Sequence, residues 1–467
     1  MAGFPESIYA ISPQWVQTVG LNAYGVYWRW RRFGGKFNEY VDEFAEREHY
    51  TAAQWQEYQT QALRELLTYA VEHVPYYKEA FQKRGKEFGD FDLNQLSGLP
   101  LLDKETIRKQ PRAFVTDAVP LNKLLELKTS GTTGTPLSIY FSTEMHRRWS
   151  AAYETRVRRW AGVNRLMSRA MIGGRMIQRK EQNNPPFWRY NHAERQLYLS
   201  AFHISPKNAP EYVNALNHYR PDYLVGYASS HYYLARMINR LHLDVIRPKA
   251  VLTSSEKLTD EMRDEIRKAY RCEVFDAYSG VEACGLASEC EYHRLHVSPD
   301  VGILELIDEN GHPVKNGETG EIVFTGLLNF EQPLIRYRTG DLAILSDEKC
   351  PCGREMPVLR ELVGRLEDTV IARDGSELVR FHGIFTGLAH VREGQVIQEA
   401  IDTFRLRLVV DPGFDADDRR EIIKRFDERL GTVKLDFELV DRIERTRRGK
   451  FRSVISHVSR DFGKSTE

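Results

Sequence analysis

Residues 249–280, KAVLTSSEKLTDEMRDEIRKAYRCEVFDAYSG, decide how the rest of the chain is read. "KAVLTSS" is a short apolar run that ends in hydroxyls. In "EKLTDEMRDEIRKAY", Met262, Ile266 and Tyr270 recur at four-residue steps and share one helical face. Thr259 suits the N-cap, and Asp260 and Glu261 favour the positive end of that helix. "CEVFDAYSG" then reads as a second strand. Strand, helix, strand at this spacing predicts a crossover between parallel strands. Parallel sheets bind ligands beyond the carboxyl ends of their strands, where "TSSE" and "AYSGVE" both fall.

The neighbouring text extends the pattern. Upstream, "DYLVGY" followed by "SSHYYLARMINRLH" predicts another strand and helix. Downstream of Val301, "VGILELIDENGHPVKNGETGEIVFTGL" alternates apolar and polar residues around Asn-Gly turns, which predicts hairpins. "TFRLRLVVD", "DADDRREIIKRFDERL" and "VKLDFELVDRI" predict a small α+β module at the C-terminus. The expected boundary lies near Gly364–Asp368, giving a large domain over 1–364 and a small one over 365–467. Residues 1–100 read as a helical, aromatic arm. Within it "QWQEYQTQALRELLTYAVEHV" has helical periodicity and "YGVYWRWRRFGGKF" is basic and aromatic. That second stretch suits either an arm docked on the main domain, a contact with polyanion or lipid headgroups, or a dimer contact.

Bulk composition narrows the class. A chain of 467 residues exceeds what one core usually supports, so two or more domains are expected. Lys+Arg and Asp+Glu each number 66, so no net field recruits nucleic acid or membrane. No uninterrupted apolar run approaches the ~18 residues a membrane-spanning helix requires. The start "MAGFPESIYAISPQWV" lacks a signal-peptide pattern, and a cytoplasmic location is expected. The 5 cysteines, an odd number all beyond residue 271, argue against a disulfide framework.

"LKTSGTTGTPLSIYFS", residues 127–142, places glycines and hydroxyls between two apolar stretches. Gly131 and Gly134 let backbone amides approach an anion, and Ser130, Thr132 and Thr133 add hydroxyl donors. No lysine follows the second glycine, so this is not a Walker loop. "TSGTTGTP", "YSGVE", "YRTGD" and "RTRRGK" follow one another in the order seen in the adenylate-forming superfamily of acyl-CoA synthetases. The flanking "LLTYAVEHVPYYKEAF", "QPLIRYRTGDLA", "CPCGREMPVLRELVGRLED" and "GKFRSVIS" resemble the phenylacetate–CoA ligase family, especially its capsular-polysaccharide-biosynthesis-like branch. The likeness spans nearly the whole chain.

That resemblance implies an α/β fold: a large adenylation domain with parallel sheets and a hairpin subdomain, and a mobile C-terminal lid. It implies ATP, Mg²⁺ and CoA as cofactors and a small carboxylic acid as substrate. Ser130–Gly134 would hold the β- and γ-phosphates, with Thr133 contributing to catalysis. Glu282 would bind Mg²⁺, while Ser255, Glu256, Asp276, Tyr278 and Ser279 would border the nucleotide. Asp341 would accept hydrogen bonds from the ribose, and Arg365 would contact the nucleotide near the pivot at Asp368. Lys450 would bridge carboxylate and α-phosphate oxygens. Tyr227, His231 and Tyr232 fall where the acyl pocket would be lined; Tyr233 suits the core. One departure is Val281, which replaces the usual Thr or Ser and cannot donate a hydrogen bond. Either Ser279 or a loop hydroxyl substitutes, or adenylation is slow.

A second constellation lies in "SECEYHRLHV" and "KCPCGR". Thiolate and imidazole are the preferred donors of tetrahedral zinc. With "LHV" as a strand, Leu295 and Val297 face one side and His296 the other. Cys290, His296, Cys350 and Cys352 are therefore the candidate structural zinc ligands, with His293 as substitute. Three functional readings follow from the sequence. They are a carboxylate-activating enzyme transferring to CoA, an adenylate-forming ligase using an amine or sugar hydroxyl, and a non-catalytic scaffold keeping the fold.

Overall fold

The computed structural model describes residues 9, 12–82, 88–129, 137–175, 177–178, 184–365, 370–373, 377–378, 384–385, 388–446 and 451–458. The chain divides into two compact units, Met1–Thr339 with Ile344–Glu361, and Gly340–Ala343 with Leu362–Glu467.

Helices α1 (Gln14–Phe33), α2 (Phe37–Arg47), α3 (Ala52–His73), α4 (Pro75–Gln82) and α5 (Lys104–Lys109) open the first unit. Strands β1 (Leu125–Lys128) and β2 (Ser138–Phe141) then form an antiparallel pair and lead into α6 (Thr143–Tyr153). The main sheet follows in chain order: β3 (Arg169–Gly173), β4 (Trp188–Asn191), β5 (Gln196–Ser200), β6 (Tyr223–Gly226), β7 (Ala250–Ser254), β8 (Glu273–Ser279), β9 (Leu286–Glu289), β10 (Leu295–Val297), β11 (Gly302–Ile307), β12 (Thr319–Gly326), β13 (Tyr337–Leu345) and β14 (Val358–Arg365). Helices α7 (Ala209–Tyr219), α8 (Ala228–Arg240) and α9 (Asp260–Tyr270) connect the parallel strands.

Spatial order in this sheet is β11-β12-β13-β14-β10-β9-β8-β7-β6-β3-β5-β4. β5, β3, β6, β7 and β8 run parallel, and β4, β9 and β10 continue antiparallel. The sequence pattern placed hairpins from about Val301, where β11 pairs with β12, but the antiparallel pairing begins earlier, at β9, and also adds β4 at the far edge. Val251, Val274, Ile266, Tyr270, Leu234 and Tyr212 lie in one buried core packed by α7, α8 and α9. The α9 cap forms as its residues dictate, with the Thr259 hydroxyl accepting from the Met262 amide at 3.2 Å.

The second unit has its own core. β17 (Val391–Ala400), β18 (Thr403–Val410), β19 (Lys434–Leu439) and β20 (Val454–Ser456) form a four-stranded sheet in the order β19-β18-β17-β20. Helix α10 (Ala416–Leu430) contributes Ile422 and Phe426 to a cluster with Val396, Phe404 and Leu406. The short pair β15 (Val370–Ile371) and β16 (Glu377–Leu378) precedes them.

Candidate active site and cysteine–histidine cluster

The carboxyl ends of β6, β7 and β8 lie side by side and present Gly226–Tyr227, Ser254–Glu256 and Ser279–Glu282. Gly226 has φ +150°, and a Cβ there would stand 1.9 Å from the Ile172 carbonyl oxygen, so no other residue fits the turn. The Tyr227 amide donates to that same oxygen at 3.0 Å. Ser255 takes a left-handed conformation, φ +69°, and is exposed. Glu256 accepts from the Ser229 amide at 3.0 Å. It thereby satisfies an orphan donor in the first turn of α8 and places negative charge at the positive end of that helix.

Glu282 is half-buried, and Tyr337 donates a hydrogen bond to its Oε1 at 3.0 Å. Tyr337 is fully buried, so the anchor is rigid. A Cβ on Gly280 would lie 2.4 Å from Glu282 Oε2, so the carboxylate folds back over this glycine and any larger residue would displace it. Asp276, on β8, accepts from the Thr253 hydroxyl at 2.7 Å, while its amide donates to Glu289 Oε2 at 3.0 Å. Burial, reinforced by the Glu289 charge, pushes the Asp276 carboxyl up to about 7. Arg263 on α9 grips Glu289 at 2.5 and 3.0 Å. Tyr278 and Ser279 are half-buried at the end of the same strand.

His231 is completely buried on α8. Burial pushes its imidazole down to about 4, only partly offset by the Val225 backbone, so it is neutral at pH 7. Tyr232 packs in the helix-facing core and donates to Glu261 on α9 at 2.8 Å. Its hydroxyl is thereby committed to the α8–α9 contact rather than turned toward a pocket. Tyr233 packs against the same core, as the sequence suggested. Asp341 is half-buried on β13, in the second unit. Arg365 ends β14. Ser130, Gly131, Thr132, Thr133, Gly134, Asp368 and Lys450 lie outside the described residues. Tyr337 escaped the sequence reading, although the quoted "YRTGD" contains it. The signal was a tyrosine at the head of a strand carrying a second functional residue, and its partner lies 55 positions away.

Cys290, His296, Cys350 and Cys352 bring their ligand atoms within 4.8 Å of one another. Cys290 Sγ lies 3.6 Å from Cys350 Sγ, and Cys352 Sγ lies 3.3 Å from His296 Nε2. Sulfurs ~2.3 Å from one tetrahedral zinc would stand about 3.8 Å apart, so the cluster fits the ion. The β9–β10 turn supplies Cys290, β10 supplies His296, and the β13–β14 turn supplies the Cys-x-Cys pair. Burial pushes the Cys350 thiol up to about 12 and the His296 imidazole down to about 4, the latter helped by Arg354. Four such donors within reach of one another suit a divalent cation. His293 is not among them: its ring contacts Glu289, Glu273, Arg263 and Arg267. All 5 cysteines are free. Around the cluster lie Trp55, Trp160, Met356 and Val358, and Arg354 sits 4.5 Å over the Trp160 ring.

Comparison with known proteins places this geometry. The CapK C-terminal domain family matches residues 371–457. Protein CapK of Staphylococcus aureus is 30% identical over 418 residues, covering 86% of this chain and 89% of CapK. The phenylacetate-coenzyme A ligase of Thermus thermophilus is 25% identical over 325 residues, 68% of this chain and 71% of that one. The Escherichia coli enzyme of that name is 26% identical over 332 residues, 68% and 72% of the two chains. Among solved structures, 2-hydroxyisobutyryl-CoA ligase in complex with R3-HIB-AMP superposes with a TM-score of 0.68 at 21% identity, over 90% of this chain and 92% of that one.

The fold is thus that of the adenylate-forming CoA ligases, an α/β architecture with a large sheet and a small C-terminal domain. Within that class the chain belongs to the family of protein CapK, and phenylacetate-coenzyme A ligases are related to it at lower identity.

Proposed function

We propose that this protein activates a small carboxylic acid with ATP, forming an acyl adenylate and pyrophosphate, and then transfers the acyl group to coenzyme A. The observation that carries the reading is Glu282, fixed by Tyr337 at the carboxyl ends of the parallel strands. Family membership supports it, since related chains are named as CoA ligases. Phosphoryl-group chemistry asks a protein for positioning and charge stabilisation rather than covalent work. Glu282 would hold Mg²⁺, which supplies charge neutralisation to the triphosphate. Ser130, Gly131, Thr132, Thr133 and Gly134 would donate to the β- and γ-phosphates. Asp276, Tyr278, Ser279, Ser255 and Glu256 would border the base, and Asp341 would take the ribose. Lys450 would neutralise charge between carboxylate and α-phosphate, with Arg365 beside the nucleotide. Movement of the C-terminal module, taken as 365–467, would then withdraw Lys450. Tyr227 and His231 would line the acyl side, where a neutral imidazole favours an uncharged acyl group. The site would work in the cytoplasm on soluble substrates.

The test is pyrophosphate–ATP exchange with the purified chain across a broad panel of acids. Exchange with at least one acid, lost in Lys450→Ala and Glu282→Gln by about 100-fold or more, supports the proposal. No exchange with any acid, or exchange indifferent to both substitutions, overturns it and favours a scaffold. Product analysis with and without coenzyme A separates thioester formation from transfer to an amine or a sugar hydroxyl.

A further inference from the structure

Helix α1 docks through a mixed face and exposes an apolar one. Leu21 is buried against Ile177 and Tyr198, and Trp28 packs edge-on against His146. The rest of that face is polar: Gln17 accepts from Arg189 at 2.7 and 3.0 Å, and Asn22 donates to the Tyr190 carbonyl at 3.4 Å. Arg31 is buried and donates to the Phe141 carbonyl, Thr143 and His146 at 3.0, 2.9 and 3.2 Å. Arg32 pairs with buried Glu194. Gly25 sits so close to Asn191 that a Cβ would fall 2.3 Å from its amide nitrogen. These contacts fix the helix in rotation. Its outward face is apolar instead, with Trp15, Val19, Val26, Tyr27 and Trp30 exposed at 71%, 63%, 61%, 43% and 58%. Trp15, Val19, Val26 and Trp30 stand four, seven, eleven and fifteen residues apart on one stripe, with Tyr27 at its edge.

A soluble helix ordinarily shows the reverse polarity, and a rimmed apolar patch marks an interaction site. The charge around it selects the partner. α1 contains no acidic residue. Arg29 and Lys36 are exposed at its C-terminal end, and Arg147 lies 5.7 Å over the Trp30 ring. Glu144, on the adjoining α6, is already engaged by Arg147 and Tyr40. A second copy would bring no counter-charge: parallel stripes align like charges, and antiparallel ones set Arg29 against uncharged Gln14–Thr18. The stripe is ~22 Å long and one helix wide, which offers a few hundred Å², under the ~800 Å² per partner that a stable interface requires. Tryptophan and tyrosine favour the water–lipid boundary, and each basic group near an anionic surface adds about 1 kcal/mol.

We propose that α1 is an interfacial docking helix, which lays the Trp15–Trp30 stripe into the headgroup region of an anionic bilayer while the rest of the chain stays in water. No described helix is long and apolar enough to span, so the chain would lie on the surface. Overall charge neutrality concealed this, because attraction to a surface depends on local charge. The inference does not rest on the catalytic reading.

The test is co-sedimentation of the full chain with phosphatidylcholine vesicles and with vesicles of equal parts phosphatidylcholine and phosphatidylglycerol. The expected result is partitioning into the anionic vesicles that weakens with salt. It should fall about tenfold or more in Trp15→Glu/Trp30→Glu and several-fold in Arg29→Glu. Thermal unfolding of Trp15→Glu/Trp30→Glu should match the parent, because those side chains are exposed, whereas Arg29→Glu also loses the exposed hydrogen bond of Arg29 to the Ala193 carbonyl at 3.1 Å. Absence of partitioning by the parent chain, or unchanged partitioning in Trp15→Glu/Trp30→Glu, overturns the proposal. So does a concentration-dependent dimer in ultracentrifugation that the same double variant dissociates and that leaves no protein on the vesicles.

Discussion

Tyr337 and Glu282 meet 55 positions apart through a single hydroxyl. A hydrogen bond to a charged group contributes about 1.5–3 kcal/mol, and here it orients the carboxylate rather than supporting a core. Tyr337→Phe keeps the ring that fills the interior. It should lower pyrophosphate exchange by roughly tenfold while leaving unfolding temperature nearly unchanged. A loss of stability without a loss of exchange would show that the tyrosine acts in packing alone. Glu282 was singled out only through the resemblance of "YSGVE" to the adenylate-forming motif. Its partner was not legible, since no local pattern ties two residues so distant. Tyr232 shows the opposite limit: a tyrosine on a helix reads alike in pocket or core until the neighbouring helix supplies Glu261.

At the scale of elements, the cysteine–histidine cluster joins the β9–β10 hairpin to the β13–β14 turn. It also borders the N-terminal helices, where Glu48 accepts from Arg156 at 2.8 Å and from the Trp160 indole at 2.9 Å. Asp300 completes this buried network through Arg156 at 3.1 Å and Arg47 at 3.0 Å. Zinc binding to preformed donors is folding free energy. The protein as purified should therefore carry close to one zinc per chain by elemental analysis. Cys350→Ser should abolish it and lower the unfolding temperature, as should prolonged chelation of the parent. His293→Ala should leave zinc content intact, because its ring is engaged by Glu289 and Glu273 instead. Metal-free parent protein of undiminished stability would count against the assignment. The choice of His296 followed from strand alternation, whereas closure of the cluster needed β14 to pair with β10.

Across the whole molecule, two buried histidines of the first unit outside the metal cluster contribute to its acid sensitivity. His146 and His231 are held down to about 3 and about 4, each chiefly by burial, against 6.5 for the free side chain. Between those values and 6.5 the unfolded chain binds protons that the folded chain refuses. Their contribution is thus fully present above pH 6.5 and is lost as pH falls toward 4. For His231 this amounts to about 3 kcal/mol at ~1.4 kcal/mol per unit. Denaturant unfolding at pH 7.5 and pH 5 should show the decline, and His231→Gln should flatten it. Asp276 works in the opposite sense: its carboxyl, raised to about 7, favours the protonated folded state. It offsets part of the slope without reversing it.

By itself, the sequence determined the kinds of element and their order, the adenylate-forming resemblance, and four metal donors of the right chemistry. These are local properties: periodicity, turn residues and caps act over a few positions, and motifs keep their spacing. Tertiary structure alone decided that β14 lies beside β10, that Tyr337 anchors Glu282, and that α1 turns Trp15 and Trp30 outward while Trp28 packs on His146. Each of these depends on which surfaces meet across long stretches of chain, and burial on one side of a helix is set by what it packs against. The aromatic arm was visible as composition, but its exposed stripe existed only once Gln17, Asn22, Arg31 and Arg32 had found their partners.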